Sequence, residues 1–362
     1  MPVRAAILRR TGSQLEVSDD VSLTPIEPTD VRVKVHATGI CHSDVHGIDG
    51  ALGPLASIVL GHEGAGEVVE TGSAVTTLAV HDHVVLVWSP PCGRCIACVD
   101  QRSPHLCTTI QFVQAMRRPF IEGGKRLYAM SGIGSFAEEV VCTEASCVKI
   151  DDDVPWEIGS LIGCAVTTGV GAVFNAARVH PGDTCLVVGC GGVGMSVVQG
   201  CRVAGATTVV AVDLQASKRE LAMRLGATHG TAPEGLRALT GELTGEAHGF
   251  DHTFEVVGLP ETVRSCYDAT RRGGNTIIVG VGSADRTVSF DLAELYWGEK
   301  SLRGSYYGSA DPRRTIPLIL RLWRSGQLDL EAMISHRIGL DGINEAIDQM
   351  RRGETNRIVI TP

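Results

Sequence analysis

The chain has 362 residues, a length that corresponds to two or three domains. With 44% hydrophobic and 20% charged residues it is typical of a folded globular protein and is not a disordered polyampholyte. Its 41 acidic and 32 basic residues give a formal charge of −9 without a long run of basic residues, so a nucleic-acid-binding stripe is not expected. The 12 cysteines are too sparse for a disulfide scaffold.

The first part of the chain is predicted to be mostly β-structure. Residues 31–37 alternate strictly between apolar and polar side chains, which is typical of a half-exposed strand. A glycine-rich stretch with short β-like runs, among them 84–87 and 137–142, continues to about residue 150.

From about residue 165 the pattern changes to alternating strands and helices. The sequence predicts a strand over 184–188, a glycine turn over 189–194, a helix over 195–204 and a strand over 208–212. A helix over 217–225 follows, with Ser217 as N-cap and Gly226 past its end. Further strands are predicted over 251–257 and 275–281, then helical periodicity over 316–350 and a β-like end at 357–360. This alternation predicts an α/β fold with a doubly wound parallel sheet.

Two uncharged runs, 158–177 and 184–201, are long enough to span a bilayer. Glycines interrupt both, and the first run also carries Thr167, Thr168 and Asn175, so we expect buried strands and packed helices and no membrane contact. The N-terminus lacks the apolar segment of a signal peptide, and a cytoplasmic protein is predicted.

The glycine turn has the spacing of a dinucleotide-binding motif. Gly189, Gly191, Gly192 and Gly194 follow an apolar strand and open a helix, where a pyrophosphate can approach the backbone and the helix N-terminus. Asp213 ends the next strand, where a carboxylate can bind both ribose hydroxyls and repel a 2′-phosphate, so NAD is predicted over NADP. The alternative is a structural turn with Asp213 capping the next helix.

Four cysteines cluster at the spacing of a metal site. Cys92, Cys95, Cys98 and Cys107 can surround one tetrahedral Zn²⁺, and four thiolates leave no open position, so the site would be structural. A redox pair or a nucleic-acid zinc module are the alternatives, but neither the cysteine number nor the flanking charge favours them.

Three further residues have side chains that suit zinc but lie far apart in the sequence. Cys41, His62 and Cys164 would form a set of two thiolates and one imidazole, which leaves a fourth position free for a substrate. Spacing alone does not show that they meet, and packed core residues are the alternative.

A family resemblance covers essentially the whole chain. The pattern Gly61-His62-Glu63-x₂-Gly66-x₅-Gly72-x₂-Val75, the four-cysteine segment, Cys164 with Thr168, the glycine turn with Asp213, and the segment 353–357 occur in that order. They resemble the zinc-dependent medium-chain alcohol dehydrogenases. The resemblance implies a GroES-like, β-rich catalytic domain over 1–164 and 306–362, a Rossmann domain over 165–305, and an active site in the cleft between them.

The resemblance also implies the roles of the residues around the metal. Cys41, His62 and Cys164 would hold a catalytic zinc, the second of two per chain, with Glu63 behind it as a further candidate ligand and Asp44 orienting His62. Ser43 and His46 would carry the alcohol proton to the surface. A solvated turn is the alternative for this last pair.

Further residues are implied in cofactor binding. His42 and Arg357 would face the pyrophosphate, Lys218 would reach the adenosine ribose, and Thr168, Val193, Val279, Ser305 and Tyr307 would frame the nicotinamide. A helical lysine such as Lys218 is as often merely solvated.

The resemblance predicts an enzyme that transfers a hydride between a primary or secondary alcohol and NAD, producing an aldehyde or ketone. Trp88 would narrow the pocket in favour of slender primary alcohols, and Leu52 stands where glutathione-dependent formaldehyde dehydrogenases carry an acidic residue. The long segment 108–135 favours a homodimer over a tetramer.

The alternatives are a polyol dehydrogenase, or a factor-dependent aldehyde dehydrogenase or dismutase that keeps its NAD bound. A non-enzymatic NAD-binding protein would need neither the open metal site nor Ser43 and His46.

Overall fold

The computed structural model describes residues 2–283 and 285–362 and divides into two units. The first unit extends to Ala165 and also contains Ala310–Leu320 and Leu330–Pro362, and the second contains Val166–Ser309 and Arg321–Asp329.

The strands of the described residues are β1 (Val3–Arg10), β2 (Leu15–Leu23), β3 (Asp30–Gly39), β4 (Ala56–Val59), β5 (Glu63–Thr71), β6 (His83–Leu86), β7 (Phe120–Glu122), β8 (Lys125–Ala129), β9 (Glu139–Thr143), β10 (Cys147–Ile150), β11 (Thr184–Val188), β12 (Thr208–Val212), β13 (His229–Thr231), β14 (Phe250–Glu255), β15 (Thr270–Ile278), β16 (Ser301–Gly304), β17 (Ile334–Ile338) and β18 (Arg357–Ile360). The α-helices are α1 (His42–Asp49), α2 (Ile96–Val99), α3 (Thr108–Ala115), α4 (Trp156–Leu161), α5 (Thr167–Gly171), α6 (Gly192–Ala204), α7 (Ala216–Leu225), α8 (Leu236–Thr244), α9 (Pro260–Ala269), α10 (Leu292–Gly298), α11 (Pro312–Arg324) and α12 (Ile343–Arg351).

The first unit is built from β-sheets, as predicted. Strands β1, β2, β7, β8 and β4 close into a barrel, and a second sheet has the order β10-β6-β5-β3-β18-β17, with β9 also paired to β3. The alternation that predicted a strand over 31–37 produces the central strand β3: Val31, Val33 and Val35 are buried in the core and Lys34 is exposed.

The second unit contains the predicted doubly wound parallel sheet. Its order is β13-β12-β11-β14-β15-β16, with every neighbouring pair parallel. The predicted strands 184–188 and 208–212 coincide with β11 and β12, because buried parallel strands are continuous apolar runs. Strands β14 and β15 begin earlier than predicted, the latter with a register shift along its pairing to β14.

The second unit includes two stretches that the sequence assigned to the catalytic domain, 306–309 and 321–329. Gly308 packs so closely on the α5 segment that a Cβ there would lie 2.3 Å from the carbonyl oxygen of Thr167. The backbone N–H of Asp329 donates to Gln199 Oε1 at 2.7 Å. These local contacts, which no sequence pattern indicated, join both stretches to helices α5 and α6 of the second unit.

Two helix boundaries also differ from the prediction. Helix α7 begins at Ala216 with Gln215 as N-cap, so Ser217 lies inside the helix and does not cap it. The reason is the Asp213 carboxylate, which accepts the Gln215 N–H at 2.9 Å and sets the turn earlier. Helix α6 begins at Gly192, within the predicted glycine turn.

The predicted helical tail is divided. Helices α11 and α12 are separated by strand β17, and β18 forms at the predicted β-like end.

One helix of the described residues, Trp156–Ala177, is long and apolar enough to cross a membrane by length and composition. It consists of α4 and α5 with π-helical turns at Ile162–Val166 and Ala172–Ala177. Of its most apolar window, 83% is buried inside the protein, as expected for a core helix. The first π-turn carries Cys164, and such turns often occur at functional sites.

Candidate metal and cofactor sites

The structure brings together four residues from distant parts of the first unit. Cys41 follows the end of β3 by two residues and is the N-cap of α1. His62 precedes β5 and Glu63 is its first residue, and Cys164 lies in the π-turn after α4. Their ligand atoms all lie within 4.8 Å of one another, and all four side chains are buried. The core-residue alternative for Cys41, His62 and Cys164 therefore does not explain their placement.

Asp44 fixes the geometry of this cluster from behind. Its Oδ1 accepts from His62 Nδ1 at 3.2 Å and from the Gly61 N–H at 3.1 Å, and its Oδ2 accepts from the Cys41 N–H at 2.9 Å. Because Nδ1 of His62 is held by the carboxylate, Nε2 is left to face a ligand.

The buried carboxylate of Glu63 has a hydrogen-bond partner on each oxygen. Its Oε1 accepts the Ala165 N–H at 3.2 Å, and its Oε2 accepts from Arg357 Nη1 at 3.3 Å. Burial raises the pKa of Glu63 to about 7, although the Arg357 guanidinium opposes this shift. Both oxygens thus have a hydrogen-bond partner, and a part for Glu63 as a further zinc ligand stays a prediction.

The two thiols of the cluster shift each other's pKa in opposite directions. A hydrogen bond with Cys164 lowers the pKa of Cys41 well below its ordinary value despite burial, and the same bond together with burial raises the pKa of Cys164. Burial lowers the pKa of His62, but the Asp44 carboxylate and the Cys41 thiol raise it by more. Two cysteine sulfurs and a histidine ring in one buried cluster are a donor set that fits a zinc ion, since zinc binding displaces the protons of such groups.

The four predicted structural cysteines also meet. The Sγ atoms of Cys95 and Cys98 are 3.5 Å apart, those of Cys95 and Cys107 3.8 Å, and those of Cys92 and Cys98 3.9 Å. A tetrahedron with Zn–S bonds of about 2.3 Å has edges of about 3.8 Å, so the thiols fit a closed zinc site. Burial raises the pKa of Cys92, but donation from two backbone N–H groups lowers it to about 6.

Three further predicted residues lie on or near the open cluster. Ser43 Oγ is 3.8 Å from Cys41 Sγ, and Ser43 and His46 lie on one face of α1, three residues apart and both half-buried. The Trp88 ring packs edge-on to His62 with a centroid distance of 6.4 Å.

The glycine turn has the geometry that a dinucleotide motif needs. Gly189 has a φ of +95°, and a Cβ at Gly194 would lie 1.8 Å from the Gly189 carbonyl oxygen. At Gly191 a Cβ would meet nothing within 4 Å, so that side of the backbone is open to a ligand. Gly192 is the first residue of α6, and the half-buried Val193 follows it. The turn thus presents an open backbone at a helix N-terminus, as an anion site requires.

Four predicted cofactor residues each directly follow a parallel strand. Gly189 follows β11, Asp213 follows β12, Val279 follows β15 and Ser305 follows β16. The carboxyl ends of these strands share one edge of the sheet, where doubly wound folds bind their ligands.

Asp213 is positioned before any ligand binds, because its Oδ2 accepts the Cys190 N–H at 2.8 Å. In the same unit Thr168 is buried and its Oγ1 has no hydrogen-bond partner among the described residues. Tyr307 is 2% exposed, and Lys218 is half-buried in the first turn of α7.

Arg357 has a partner that the sequence did not predict. It is 3% exposed and donates to the Ile40 carbonyl at 3.0 Å as well as to Glu63, which is 294 positions away. The predicted contact of Arg357 with the cofactor pyrophosphate stays a prediction. The same holds for the predicted pyrophosphate contact of the exposed His42. Gly39 makes room for the pair of Glu63 and Arg357, since a Cβ there would lie 2.3 Å from Glu63 Oε2.

Comparisons with known proteins agree with this geometry. Residues 27–152 match the alcohol dehydrogenase GroES-like domain, and residues 192–323 match the zinc-binding dehydrogenase domain. The S-(hydroxymethyl)glutathione dehydrogenase of Synechocystis is 36% identical over 99% of this chain and 100% of its own length, and that of Paracoccus denitrificans is 34% identical over the same shares.

Solved structures give the same result. The benzyl alcohol dehydrogenase of Acinetobacter calcoaceticus is 31% identical with a TM-score of 0.91, and an alcohol dehydrogenase zinc-binding domain protein from Burkholderia ambifaria is 32% identical with a TM-score of 0.93. Both matches cover 100% of this chain and 99% of the other. The predicted GroES-like and Rossmann folds, the zinc and NAD-binding class and the alcohol oxidoreductase activity are thereby confirmed. The chain belongs to the zinc-dependent alcohol dehydrogenase family.

Proposed function

We propose that this protein is an NAD-dependent dehydrogenase of primary alcohols that produces aldehydes. The observation that carries the proposal is the contrast between the two metal clusters. Four cysteines form a closed set, whereas Cys41, His62 and Cys164 leave one position for a substrate while the Glu63 carboxylate stays bonded to the Ala165 N–H and to Arg357. A bound zinc supplies a Lewis acid that lowers the pKa of an alcohol hydroxyl.

The residues of the chain hold this site and remove the proton. Asp44 keeps His62 in the tautomer that offers Nε2, and Glu63 with Arg357 balances charge beneath the thiols. Ser43, beside Cys41, would take the alcohol proton as its own hydroxyl proton passes on through the cofactor ribose to His46, one turn later on α1. Trp88, packed against His62, limits the width of the substrate.

The cofactor is proposed to be NAD rather than NADP. Asp213 is held by the Cys190 N–H and presents its charge at the carboxyl end of β12, where it binds ribose hydroxyls and repels a 2′-phosphate. Lys218 lies in the first turn of the helix that follows Asp213, and the unpartnered Oγ1 of Thr168 is available to a polar group of the nicotinamide.

A second candidate function is oxidation of S-(hydroxymethyl)glutathione, because curated relatives at 34–36% identity carry that name. Leu52 argues against it, since an exposed leucine at that position offers no charge to a peptide adduct. A polyol dehydrogenase, or a factor-dependent enzyme with permanently held NAD, remains an alternative with the same ligands.

One assay separates these candidates. Purified protein is given ethanol, benzyl alcohol, 2,3-butanediol and S-(hydroxymethyl)glutathione, each with added NAD or NADP, and formation of the reduced cofactor is followed. We expect the highest kcat/KM for a primary alcohol with NAD. A clear preference for the glutathione adduct, or for NADP, would contradict the proposal, and turnover without added NAD would indicate a held cofactor.

We also propose that the protein is a homodimer joined at the edge of the second-unit sheet. Strand β16 is the last strand of that sheet and all four of its residues are exposed. Helix α10, just before it, exposes Leu292, Tyr296 and Trp297 at 85%, 75% and 68%. An unprotected edge beside apolar side chains is typical of a surface that a partner covers.

Sedimentation equilibrium tests this assembly, with a mass of two chains expected and a monomer at micromolar concentration contradicting it. The cytoplasmic location stays a prediction.

A further inference from the structure

A cluster of histidines lies on the polar face of the first-unit sheet, apart from both cysteine clusters. Glu67 on β5 stands opposite His83 on β6 and opposite Lys34 on β3. His36 is two residues beyond Lys34 and lies on the same face. Three neighbouring strands therefore present two imidazoles and a carboxylate side by side.

Trp156, the first residue of α4, covers this cluster. Its ring stacks on His36 with a centroid distance of 4.5 Å and an interplanar angle of 14°, and it contacts His83 at 4.1 Å. These contacts fix the orientation of the His36 ring, so its free nitrogen points in a defined direction.

The free nitrogen of His36 faces the carboxylate without bonding to it. His36 Nε2 is buried and has no hydrogen-bond partner among the described residues, and it lies 3.8 Å from Glu67 Oε2. That separation is too long for a hydrogen bond. Two ligands that each bind one ion at about 2.1 Å lie about 3.0–3.8 Å apart for angles of roughly 90–130°, so the gap suits a shared metal ion.

His81 supplies a third donor next to this gap. Its Nδ1 is 2.7 Å from Glu67 Oε1, and its side chain is 83% exposed, so the ring can turn about its own bonds without disturbing the core. The side chains of His36 and Glu67 are each 28% exposed, so the buried Nε2 lies beneath a partly accessible surface.

The surrounding charges do not close the site. Asp82 is paired with Lys149 at 2.6 Å and does not compete for the imidazoles. Lys34, which pairs with Glu67 across the sheet, is exposed, so its ammonium group can extend into solvent. Mixed imidazole and carboxylate ligands suit divalent ions of the zinc, nickel and copper series.

We propose that His36, Glu67 and His81 bind a divalent transition-metal ion, a third metal position in each chain. The ion sits between His36 Nε2 and the Glu67 carboxylate, and His81 rotates from its hydrogen bond with Glu67 to become the third ligand. Water completes the coordination, so the ion is exchangeable.

Nickel binding to the tag-free, zinc-loaded protein tests this site. A paramagnetic ion close to a stacked indole quenches its fluorescence, so Ni²⁺ is titrated while tryptophan emission is recorded, and bound nickel and zinc are counted after equilibrium dialysis. We expect one nickel per chain with no loss of zinc. Trp156→Phe should remove most of the quenching and leave the binding unchanged.

The ligand variants are Glu67→Gln and His81→Ala, and each should weaken nickel binding by about 10-fold or more. Two matched controls should have no effect. Glu70→Gln changes a carboxylate of the same strand that pairs with Arg32, and His180→Ala changes an exposed histidine beside Asp183. Binding no tighter in wild type than in the ligand variants would overturn the proposal, as would nickel uptake that occurs only in exchange for zinc.

Discussion

Asp44→Asn is the substitution that tests the open metal cluster most sharply. The Asp44 carboxylate is fully buried and accepts three hydrogen bonds, from the Cys41 N–H, the Gly61 N–H and His62 Nδ1. An asparagine has one acceptor oxygen, so its amide nitrogen must face at least one of these donors. The variant therefore loses at least one charge-assisted bond and leaves one buried donor unpartnered.

The size of the effect follows from that count. A hydrogen bond to a charged group contributes about 1.5–3 kcal/mol, and loss of a residue that orients a metal ligand weakens metal binding by about 10- to 100-fold. The loss falls on Cys41, Gly61 and His62 and leaves the four-cysteine cluster untouched, because none of the bonds of Asp44 reaches that cluster. We expect one zinc per chain to be released faster to a colorimetric chelator and the other to be retained.

Asp49→Asn is the matched control, since Asp49 lies on the same helix α1 but pairs with Arg351 at the surface. Its zinc release should equal that of the wild type. If Asp44→Asn released both zinc ions at the wild-type rate while remaining folded by circular dichroism, the assigned role of Asp44 would be wrong.

Three further predictions concern the cofactor, the structural cluster and the buried ion pair. Asp213→Gly should lower the ratio of kcat/KM with NAD to that with NADP by at least about 10-fold, because a single charge–phosphate repulsion is removed; an unchanged ratio would contradict the role of Asp213. Cys107→Ser should leave one zinc per chain and increase proteolysis within Thr108–Ala115, since Cys107 is the N-cap of that helix, and protection equal to wild type would contradict this. Arg357→Leu should lower the free energy of unfolding, measured by urea titration, by about 3–5 kcal/mol, because it leaves Glu63 as an unpaired buried carboxylate. The control Arg337→Leu, which removes a surface ion pair with Glu157, should change the free energy of unfolding by less than about 1 kcal/mol.

The elements that the sequence predicted best are those with a local cause. Strands β11 and β12 are short, continuous apolar runs, and the glycine turn between β11 and α6 has the motif spacing typical of a dinucleotide-binding turn after a strand and before a helix. The four clustered cysteines likewise lie within 16 residues of each other, so their spacing alone indicated one metal site.

The features that the sequence missed depend on contacts between distant residues. The pairing of Glu63 with Arg357 joins β5 to β18 across most of the chain, and no periodicity records it. The N-cap of α7 is Gln215 and not the predicted Ser217, because the side chain of Asp213, outside the helix, accepts the N–H of Gln215. Convergence of Cys41, His62 and Cys164 was predicted only through the family resemblance, since each is an ordinary buried residue by its own local sequence.

The most direct test of the whole account is the zinc content of His62→Ala measured together with its activity. The two clusters predict two zinc ions per wild-type chain. The variant should contain one zinc, oxidise no alcohol and still bind NAD with the wild-type affinity. A folded His62→Ala protein that contains two zinc ions, or that still oxidises alcohols, would show that Cys41, His62 and Cys164 do not form the catalytic metal site.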